Sequence, residues 1–363
     1  MKKINICFFS GDITRSGGTE RVAILIANEL QKQEKNNISF VSLTERHEDV
    51  FFNLDETICR HKLYDTVVSG TTHLLGYIHR LKKVVKSGDI DVLIDIDGII
   101  DMYAVPVKWL TGVKVISWEH FNYYFHPSQG LRKKVRKFAV KSVDAIVTLT
   151  EQDKEYYLEH LKINCPIMAI HNPVTFTGID NTYDKESKTI ISVGRLTYQK
   201  GFDRLVDVAQ IVLKNHPDWK WVIMGDGEDK EALQTSIDEK KLTNRLQLLG
   251  NVNNIDQYYK KSSIFVMTSR FEGLPMTLLE AKYYQLPIVS YDIKTGPREC
   301  ITDGVNGYLV KEDDAGDMAE KIEKLIEDND MRISFSEKAL IDVEDFSLET
   351  IIMQWEELIE KVM

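Results

Sequence analysis

The sequence predicts an α/β protein made of two doubly wound domains, each a parallel sheet covered by helices on both faces. Short apolar runs alternate with segments in which apolar residues recur every three or four positions. The apolar runs are unbroken, which is typical of strands buried on both faces of a parallel sheet. The alternation stops at a polar stretch, residues 175–188, and then starts again, so a chain of 363 residues divides into two cores.

Residues 1–172 are predicted to form an N-terminal, Rossmann-like domain. Its strands are expected in the apolar runs 4–9, 38–43, 92–96, 113–117, 145–149 and 167–170. Its helices are expected in the amphipathic segments 20–33, 73–86 and 131–141. The first apolar run ends at Gly11 and is too short for a signal peptide, which favours a buried first strand.

Residues 173–188 are predicted to be a linker, and residues 189–345 a second Rossmann-like domain. Its strands are expected at 189–193, 219–224, 246–249, 264–268 and 288–291, and its helices at 201–215, 230–240, 255–260, 275–284 and 315–329. Residues 346–363 are left over and are predicted to form a helix that crosses back to the first domain. Both sheets are expected to face a shared cleft, because such sheets bind ligands at the carboxyl ends of their strands.

Composition and charge narrow the class of protein. The four cysteines lie far apart without metal-ligand spacing, and no segment approaches the roughly 20 apolar residues of a membrane span. We therefore expect a cytoplasmic protein, with peripheral association at the inner face of the cell membrane as a further possibility. A net charge of −10 argues against nucleic acid as a partner, although residues 1–172 carry +2 and the rest −12.

The segment Ser269-Arg-Phe-Glu-Gly-Leu-Pro-Met-Thr-Leu-Leu-Glu-Ala281 holds two glutamates eight positions apart. Pro275 is suited to the first turn of a helix, and Gly273 and Leu274 precede it. The helix tip would present free N–H groups to an anion. The carboxylates of Glu272 and Glu280 would accept hydrogen bonds from hydroxyls. A nucleotide sugar needs these groups in this order: sugar hydroxyls, phosphates and ribose hydroxyls.

Cations for the phosphates are predicted in the segment that follows the strand at 189–193. Arg195 offers a bidentate fork and Lys200 a point charge, and together they could neutralise a diphosphate in place of a metal. Gly225 and Gly227 follow the next strand and mark a tight turn on the same rim.

In the first domain, Gly17 and Gly18 follow the first strand and open a helix, where backbone can approach a ligand closely.

The motifs together resemble glycosyltransferase family 4, whose members are metal-independent, retaining enzymes of the GT-B fold. The matching segments are Gly17-Gly-Thr-Glu-Arg-Val22, Trp118-Glu-His120, Val193-Gly-Arg-Leu-Thr-Tyr-Gln-Lys-Gly201, Met224-Gly-Asp-Gly227, Phe271-Glu-Gly-Leu-Pro-Met-Thr-Leu-Leu-Glu-Ala281 and Gly296-Pro-Arg-Glu299. The resemblance runs almost end to end and is strongest over residues 190–310. It implies an acceptor-side first domain and a second domain that binds the nucleotide-sugar donor.

The resemblance also implies roles for single residues. Arg195 and Lys200 match the pair that binds the donor diphosphate, Glu272 the glutamate that holds the transferred sugar, and Glu280 the one that holds the ribose.

In the first domain, His120 matches a histidine that approaches the donor sugar near the reacting carbon. Gly17 and Gly18 match a loop near the phosphates and the acceptor. One departure is visible, because Phe121 follows the histidine where the family often has Asp or Asn.

These observations predict a retaining glycosyltransferase that needs no metal or other cofactor. It would transfer a hexose or N-acetylhexosamine from a nucleotide diphosphate sugar, expected to be a UDP-sugar, to a hydroxyl of a glycan. A lipid-linked intermediate of a surface polysaccharide is the expected acceptor. The alternatives are a nucleotide-sugar epimerase or glycogen-synthase-like polymerase of the same fold, and a non-catalytic nucleotide-sugar-binding protein. A dehydrogenase is disfavoured, because neither glycine pair extends to G-x-G-x-x-G.

Two features compete with this interpretation or extend it. Asp95-Ile-Asp97 could hold a divalent metal on nucleotide phosphates, although polar residues at strand ends are commoner.

The basic segment 131–141 could meet an anionic membrane surface or be a solvated helix. Leu131, Val135 and Phe138 fall at helical spacing and are predicted to dock that helix with its charges outward. The basic residues assigned to the membrane are Arg132, Lys133, Lys134, Arg136 and Lys137.

Overall fold

The computed structural model describes residues 3–124, 129–174 and 183–363. The chain divides into two compact units, one of Met1–Pro173 with Leu348–Met363 and the other of Val174–Ser347. Much of the predicted linker, residues 175–182, lies outside the described residues.

The first unit is built on a parallel sheet of seven described strands. The strands are β1 (Ile4–Ser10), β2 (Asn36–Ser42), β3 (Cys59–Lys62), β4 (Val92–Ile96), β5 (Lys114–Trp118), β6 (Ala145–Thr148) and β7 (Ile167–Ala169). Their order is β3-β2-β1-β4-β5-β6-β7. The chain adds strands outward from β1 in one direction and then returns to add β4 on the other side. The boundary between β1 and β4 is therefore a topological switch point.

Six described α-helices belong to this unit: α1 (Gly18–Gln31), α2 (Leu74–Ser87), α3 (Asp101–Thr111), α4 (Gln129–Ala139), α5 (Glu151–His160) and the C-terminal α13 (Leu348–Val362). The last helix packs into the core of the unit, because Trp355 is fully buried and its ring centroid lies 4.8 Å from that of Trp118 on β5.

The second unit repeats the architecture with six described parallel strands. They are β8 (Thr189–Val193), β9 (Lys220–Met224), β10 (Leu246–Gly250), β11 (Ile264–Met267), β12 (Ile288–Tyr291) and β13 (Gly307–Val310), in the order β10-β9-β8-β11-β12-β13. The helices are α6 (Phe202–Asn215), α7 (Lys230–Glu239), α8 (Ile255–Lys260), α9 (Met276–Tyr283), α10 (Pro297–Cys300), α11 (Ala315–Glu327) and α12 (Asn329–Lys338). A 3₁₀ turn covers Tyr198–Lys200 and another Val343–Phe346.

The predicted fold class is confirmed: both units are Rossmann-like parallel sheets with intervening helices. Six segments for which no helix or strand was predicted also form elements within the described residues: β3, α3, α5, α10, β13 and α12. The edge strand β3 is largely exposed, so it lacks an apolar run. Helix α3 contains Pro106, which argues against a helix. Across the described residues, no helix combines the length and the apolarity that crossing a bilayer requires.

Candidate functional site

The second unit brings two sequence-predicted loops to its topological switch point. Strands β8 and β11 lie side by side, while β9 lies on the other side of β8. The loop that leaves β8 carries Arg195 and Lys200, and the loop that leaves β11 carries Glu272. Open parallel sheets bind ligands at this position, outside the carboxyl ends of the strands.

Lys200 and Glu272 form an ion pair across these loops. The Lys200 Nζ lies 2.7 Å from Glu272 Oε1, and both side chains are largely buried. Gln199 donates from Nε2 to Glu272 Oε2 at 3.2 Å and to the carbonyl of Phe271 at 3.1 Å. Thr295 donates to the carbonyl of Glu272 at 2.6 Å. The Glu272 carboxylate is thus held in one orientation beside a cation.

Arg195 is placed differently from Lys200. Its side chain is exposed, and no hydrogen-bond or ion-pair partner for it is found within residues 3–124, 129–174 and 183–363. Its backbone loop is nevertheless held firmly, since the Leu196 N–H donates to the Asp226 carbonyl at 3.0 Å. A rigid loop that carries an exposed guanidinium is suited to binding an anion.

Gly225 and Gly227 pack closely against the backbone of that loop. Gly225 has φ 132°, a conformation that favours glycine, and a Cβ there would collide with the carbonyl of Gly194. A Cβ at Gly227 would collide with the carbonyl of Leu196. This close packing against the backbone on either side of Arg195 explains why both positions are glycine. A direct contact of either glycine with the donor stays a prediction.

Helix α9 begins at Met276, one residue later than predicted, because Pro275 keeps an extended backbone (φ −75°, ψ 109°) as the cap residue. Gly273 and Leu274 lie in the turn before it. Glu280 lies in the second turn, is 6% exposed and accepts a hydrogen bond from the Tyr259 hydroxyl at 2.8 Å. The Thr277 hydroxyl, in the first turn, finds no hydrogen-bond partner in the described part of the chain.

In the first unit, the predicted site residue His120 follows β5 and is buried. Its ring lies against Trp118, with 4.2 Å between centroids, and its Nε2 has no hydrogen-bond partner among the described residues. Burial lowers the pKa of His120 to about 4, against a smaller opposing effect of the Asp97 carboxylate. The ring is therefore neutral near pH 7.

The charge state of His120 can be measured directly. Between pH 8 and pH 5 the His120 side chain should show no titration, because its desolvated ring keeps a pKa of about 4. Two-dimensional NMR of imidazole-labelled protein tests this, with His120→Gln assigning the resonance and free histidine as the reference. A midpoint for His120 near the ordinary value of about 6.5 would contradict the buried, neutral assignment.

Glu119, which sequence reasoning did not single out, lies at the centre of a buried network. It is 3% exposed and accepts hydrogen bonds from Tyr157 Oη at 2.9 Å, from Arg132 at 3.2 Å and from Arg136 at 3.3 Å. Arg136 also donates to the carbonyl of Tyr123 at 2.7 Å. The network ties helix α4 to the loop that carries His120.

Asp97 joins the same network in an unusual backbone conformation. Its φ is 115°, which non-glycine residues rarely adopt, and Arg132 binds its carboxylate, with Nη2 2.9 Å from Oδ2. Asp95 is fully buried, and burial together with the nearby carboxyl of Asp101 raises its pKa well above the usual range. Burial raises the pKa of Asp101 to about 7. Arg132 already pairs with Asp97, and the described residues contain no cluster of three or more His, Cys, Asp or Glu side chains that could hold a metal ion.

The prediction for helix α4 needs correction. Arg132 and Arg136 do not face outward: they are 7% and 5% exposed because Asp97 and Glu119 hold them inside the unit. Leu131 and Phe138, predicted to dock the helix, are instead 39% and 36% exposed. Only Val135 of the three apolar residues is buried. The outward charges are those of the lysines, Lys133, Lys134 and Lys137.

Gly17 and Gly18 lie at the start of α1. Gly17 is the cap residue, and a Cβ there would collide with the carboxylate of Glu20, which is buried and paired with Arg15. Gly18 is exposed, with open space around its Cα. Packing explains Gly17, whereas Gly18 leaves room for a ligand.

Three residues at the second-unit site were missed at the sequence level: Gln199, Tyr259 and Thr295. Gln199 lies inside a motif, between Arg195 and Lys200, so its position was a usable signal. Tyr259 and Thr295 reach the glutamates across 21 and 23 positions of sequence, which no local pattern reveals.

Two Rossmann-like units in one chain are the architecture of GT-B glycosyltransferases, and two family models identify the class. The family "Glycosyltransferase Family 4" matches residues 16–176, and "Glycosyl transferases group 1" matches residues 179–341. An uncharacterized glycosyltransferase of Haemophilus influenzae is 34% identical over 98% of this chain and 99% of its own. The chain belongs to the family 4 type of glycosyltransferases, as the sequence motifs predicted.

Other relatives are more distant. The amylovoran biosynthesis glycosyltransferase AmsD of Erwinia amylovora is 29% identical over 96% of this chain and 97% of its own. A Campylobacter jejuni enzyme named as an α-1,4-N-acetyl-D-galactosaminyltransferase acting on a diphosphoundecaprenol-linked glycan is 27% identical over 96% of each chain.

Solved structures share the fold. Sucrose-phosphate synthase from Thermosynechococcus elongatus superposes with a TM-score of 0.84 at 15% identity, over 99% of each chain. HepE from Anabaena, in complex with UDP and glucose, gives 0.78 at 17% identity, over 98% of this chain and 99% of its own. At these identities the similarity establishes the fold alone.

Proposed function

We propose that this glycosyltransferase transfers a hexose or N-acetylhexosamine from a UDP-sugar to a hydroxyl of a glycan, with retention of configuration. The observation that carries the donor assignment is the Lys200–Glu272 pair at the switch point of the second unit, 2.7 Å between Nζ and Oε1. In a nucleotide sugar the hexose is attached directly to the diphosphate. A lysine that binds phosphate next to a carboxylate that binds hexose hydroxyls fits this arrangement.

Each donor group has a proposed partner. Arg195 and Lys200 bind the diphosphate, Glu272 accepts hydrogen bonds from hexose hydroxyls, and Glu280 accepts them from the ribose. The Thr277 hydroxyl and the tip of α9 lie between the two glutamates in sequence and supply donors for phosphate oxygens. Because the Lys200 ammonium group already contacts Glu272, it would lie between the hexose bound by Glu272 and the phosphate.

The proposed reaction breaks the bond between the anomeric carbon and the phosphate oxygen. The acceptor oxygen forms its bond to that carbon on the same face, and its proton passes to the departing diphosphate. Negative charge therefore grows on the leaving group, where Arg195 and Lys200 stabilise it. We propose that these two cations make a metal unnecessary, and His120 stays a candidate residue beside the reacting carbon.

The acceptor is proposed to be a lipid-linked intermediate of a surface polysaccharide. Two relatives support this by their names, one in amylovoran biosynthesis and one acting on a diphosphoundecaprenol-linked glycan. Location at the inner face of the cell membrane belongs to the same proposal. The lysines of α4 would attract an anionic surface there.

Donor binding should appear as stabilisation. UDP at 100 times its dissociation constant should add about 2.7 kcal/mol to the free energy of unfolding, because it binds only the folded chain. Thermal unfolding with UDP, uridine and a panel of sugar nucleotides measures this effect. Glu280→Gln should weaken the stabilisation by UDP, while the side-chain oxygen of the glutamine can still accept the hydrogen bond from the Tyr259 hydroxyl. Equal stabilisation of this variant and the parent would remove Glu280 from the donor site.

Turnover separates the proposed reaction from its alternatives. A transferase releases free UDP only when an acceptor is present, whereas an epimerase leaves the sugar nucleotide intact. Addition of a single sugar excludes a polymerase, and the anomeric coupling constant of the product reports retention. Activity that survives a strong chelator supports metal independence, and activity restored by added Mg²⁺ or Mn²⁺ would contradict it.

A further inference from the structure

The first unit exposes an apolar cluster beside the lysines of α4. Trp109 and Leu110, at the end of α3, are 62% and 52% exposed, and Phe138 of α4 is 36% exposed. The rings of Trp109 and Phe138 pack edge to face, with 5.4 Å between centroids. The two helices therefore present one continuous apolar surface.

Four exposed lysines lie on α4 or just after it, in the same segment as Phe138: Lys133, Lys134, Lys137 and Lys141. Helix α4 contains no acidic residue. The nearby carboxylate of Asp144 is already neutralised, with Oδ2 2.8 Å from the Nζ of Lys108. Asp97 and Glu119 likewise balance the two buried arginines of α4, and within the described residues the four lysines have no ion-pair partner.

We propose that Trp109, Leu110 and Phe138 insert into the headgroup region of an anionic lipid bilayer, with the four lysines as an electrostatic rim. Trp is favoured at the membrane interface, and lysines keep their ammonium groups in water while their stems lie along apolar surface. Lysine is depleted in protein–protein interfaces, which makes a protein partner the weaker match. We call these seven residues the membrane face.

The membrane face differs from the purely electrostatic contact suggested by the basic sequence of α4. The two arginines of that sequence are buried, and two of the three apolar residues, Trp109 and Leu110, come from α3, which the sequence did not predict as a helix. The proposal extends the membrane setting of the proposed function, but bilayer binding does not require turnover.

Tryptophan fluorescence gives a selective test. Trp118, Trp219, Trp221 and Trp355 are each 5% exposed or less, so Trp109 is the residue whose emission should respond to lipid. Vesicles of phosphatidylglycerol and phosphatidylcholine should shift the emission to the blue, and brominated chains should quench it. Pure phosphatidylcholine, or raised salt with the anionic vesicles, should weaken both effects.

Variants separate insertion from charge. Trp109→Ala with Leu110→Ala should lower the vesicle partition coefficient about tenfold or more, because apolar area is lost from the interface. Trp109→Phe should keep most of the binding in sedimentation while abolishing the spectral change. Phe51→Ala removes a 69% exposed aromatic elsewhere in the unit and should change neither readout.

Three outcomes would contradict the proposal that the membrane face binds a bilayer. They are absence of vesicle binding, binding without any response from Trp109, and a lipid-independent dimer that Trp109→Ala dissociates. UDP stabilisation and transfer to a soluble acceptor should be equal in Trp109→Ala and the parent. A protein that binds vesicles but not UDP would contradict the donor assignment and leave the membrane face intact.

Discussion

Arg195→Ala should lower turnover by about 10² to 10³-fold while leaving the free energy of unfolding unchanged. The side chain is exposed and has no hydrogen-bond or ion-pair partner among the described residues, so its removal breaks no such bond there. A loss of rate must then come from an interaction with substrate. Steady-state transfer assays and urea denaturation, both on purified protein, measure the two quantities.

Lys200→Ala should lose a similar factor in rate, but its interpretation differs. Its removal also takes the ammonium group away from the largely buried Glu272 carboxylate, so some loss of stability is expected as well. Glu272→Gln, which keeps the shape and removes the charge, measures how much of the stability depends on the ion pair. Lys220→Ala is the matched control, because this exposed lysine lies at the amino end of β9, whereas the site lies at the carboxyl ends of the strands. Rates of Arg195→Ala and Lys200→Ala equal to that control would refute the phosphate site.

Glu119→Ala should destabilise the first unit by about 3–5 kcal/mol. The substitution removes an acceptor shared by Arg132, Arg136 and Tyr157, and leaves Arg136 as a buried cation without its carboxylate. Urea denaturation at pH 7, with the transition of the first unit fitted separately, measures the change.

Two further variants make that result specific. Glu119→Gln keeps an acceptor for Tyr157 but lacks the charge, so it should fall between the parent and Glu119→Ala. Glu360→Ala breaks an exposed ion pair with Lys35 in the same unit and should cost at most about 1 kcal/mol. If Glu119→Ala costs no more than Glu360→Ala, the network around Glu119 does not stabilise the unit.

Much of the fold could be predicted from the hydrophobic pattern, because a strand that is buried on both faces consists of consecutive apolar residues. The failures lie where burial is partial or a local rule is overridden. β3 is an edge strand and mostly exposed, so its sequence carries no period. Helix α5 shows only a capping signal, in which the Thr150 hydroxyl accepts from the Asp153 N–H at 3.0 Å. α3 forms despite Pro106 because tertiary packing outweighs local propensity.

The candidate site divides in the same way. The Lys200–Glu272 pair could be anticipated because each residue lies in a recognisable loop after a strand, and parallel topology brings such loops together. The inward direction of Arg132 and Arg136 could not, since their partners lie 13 to 35 positions away. Helical spacing fixed which residues share a face of α4, but the buried acids decided which face turned inward.

A crystal structure with an intact UDP-sugar tests the central claim most directly. It should place the diphosphate on Arg195 and Lys200, the hexose hydroxyls on Glu272 and the ribose hydroxyls on Glu280. A diphosphate bound in the first unit, or in the second unit away from the loops that follow β8 and β11, would contradict the account.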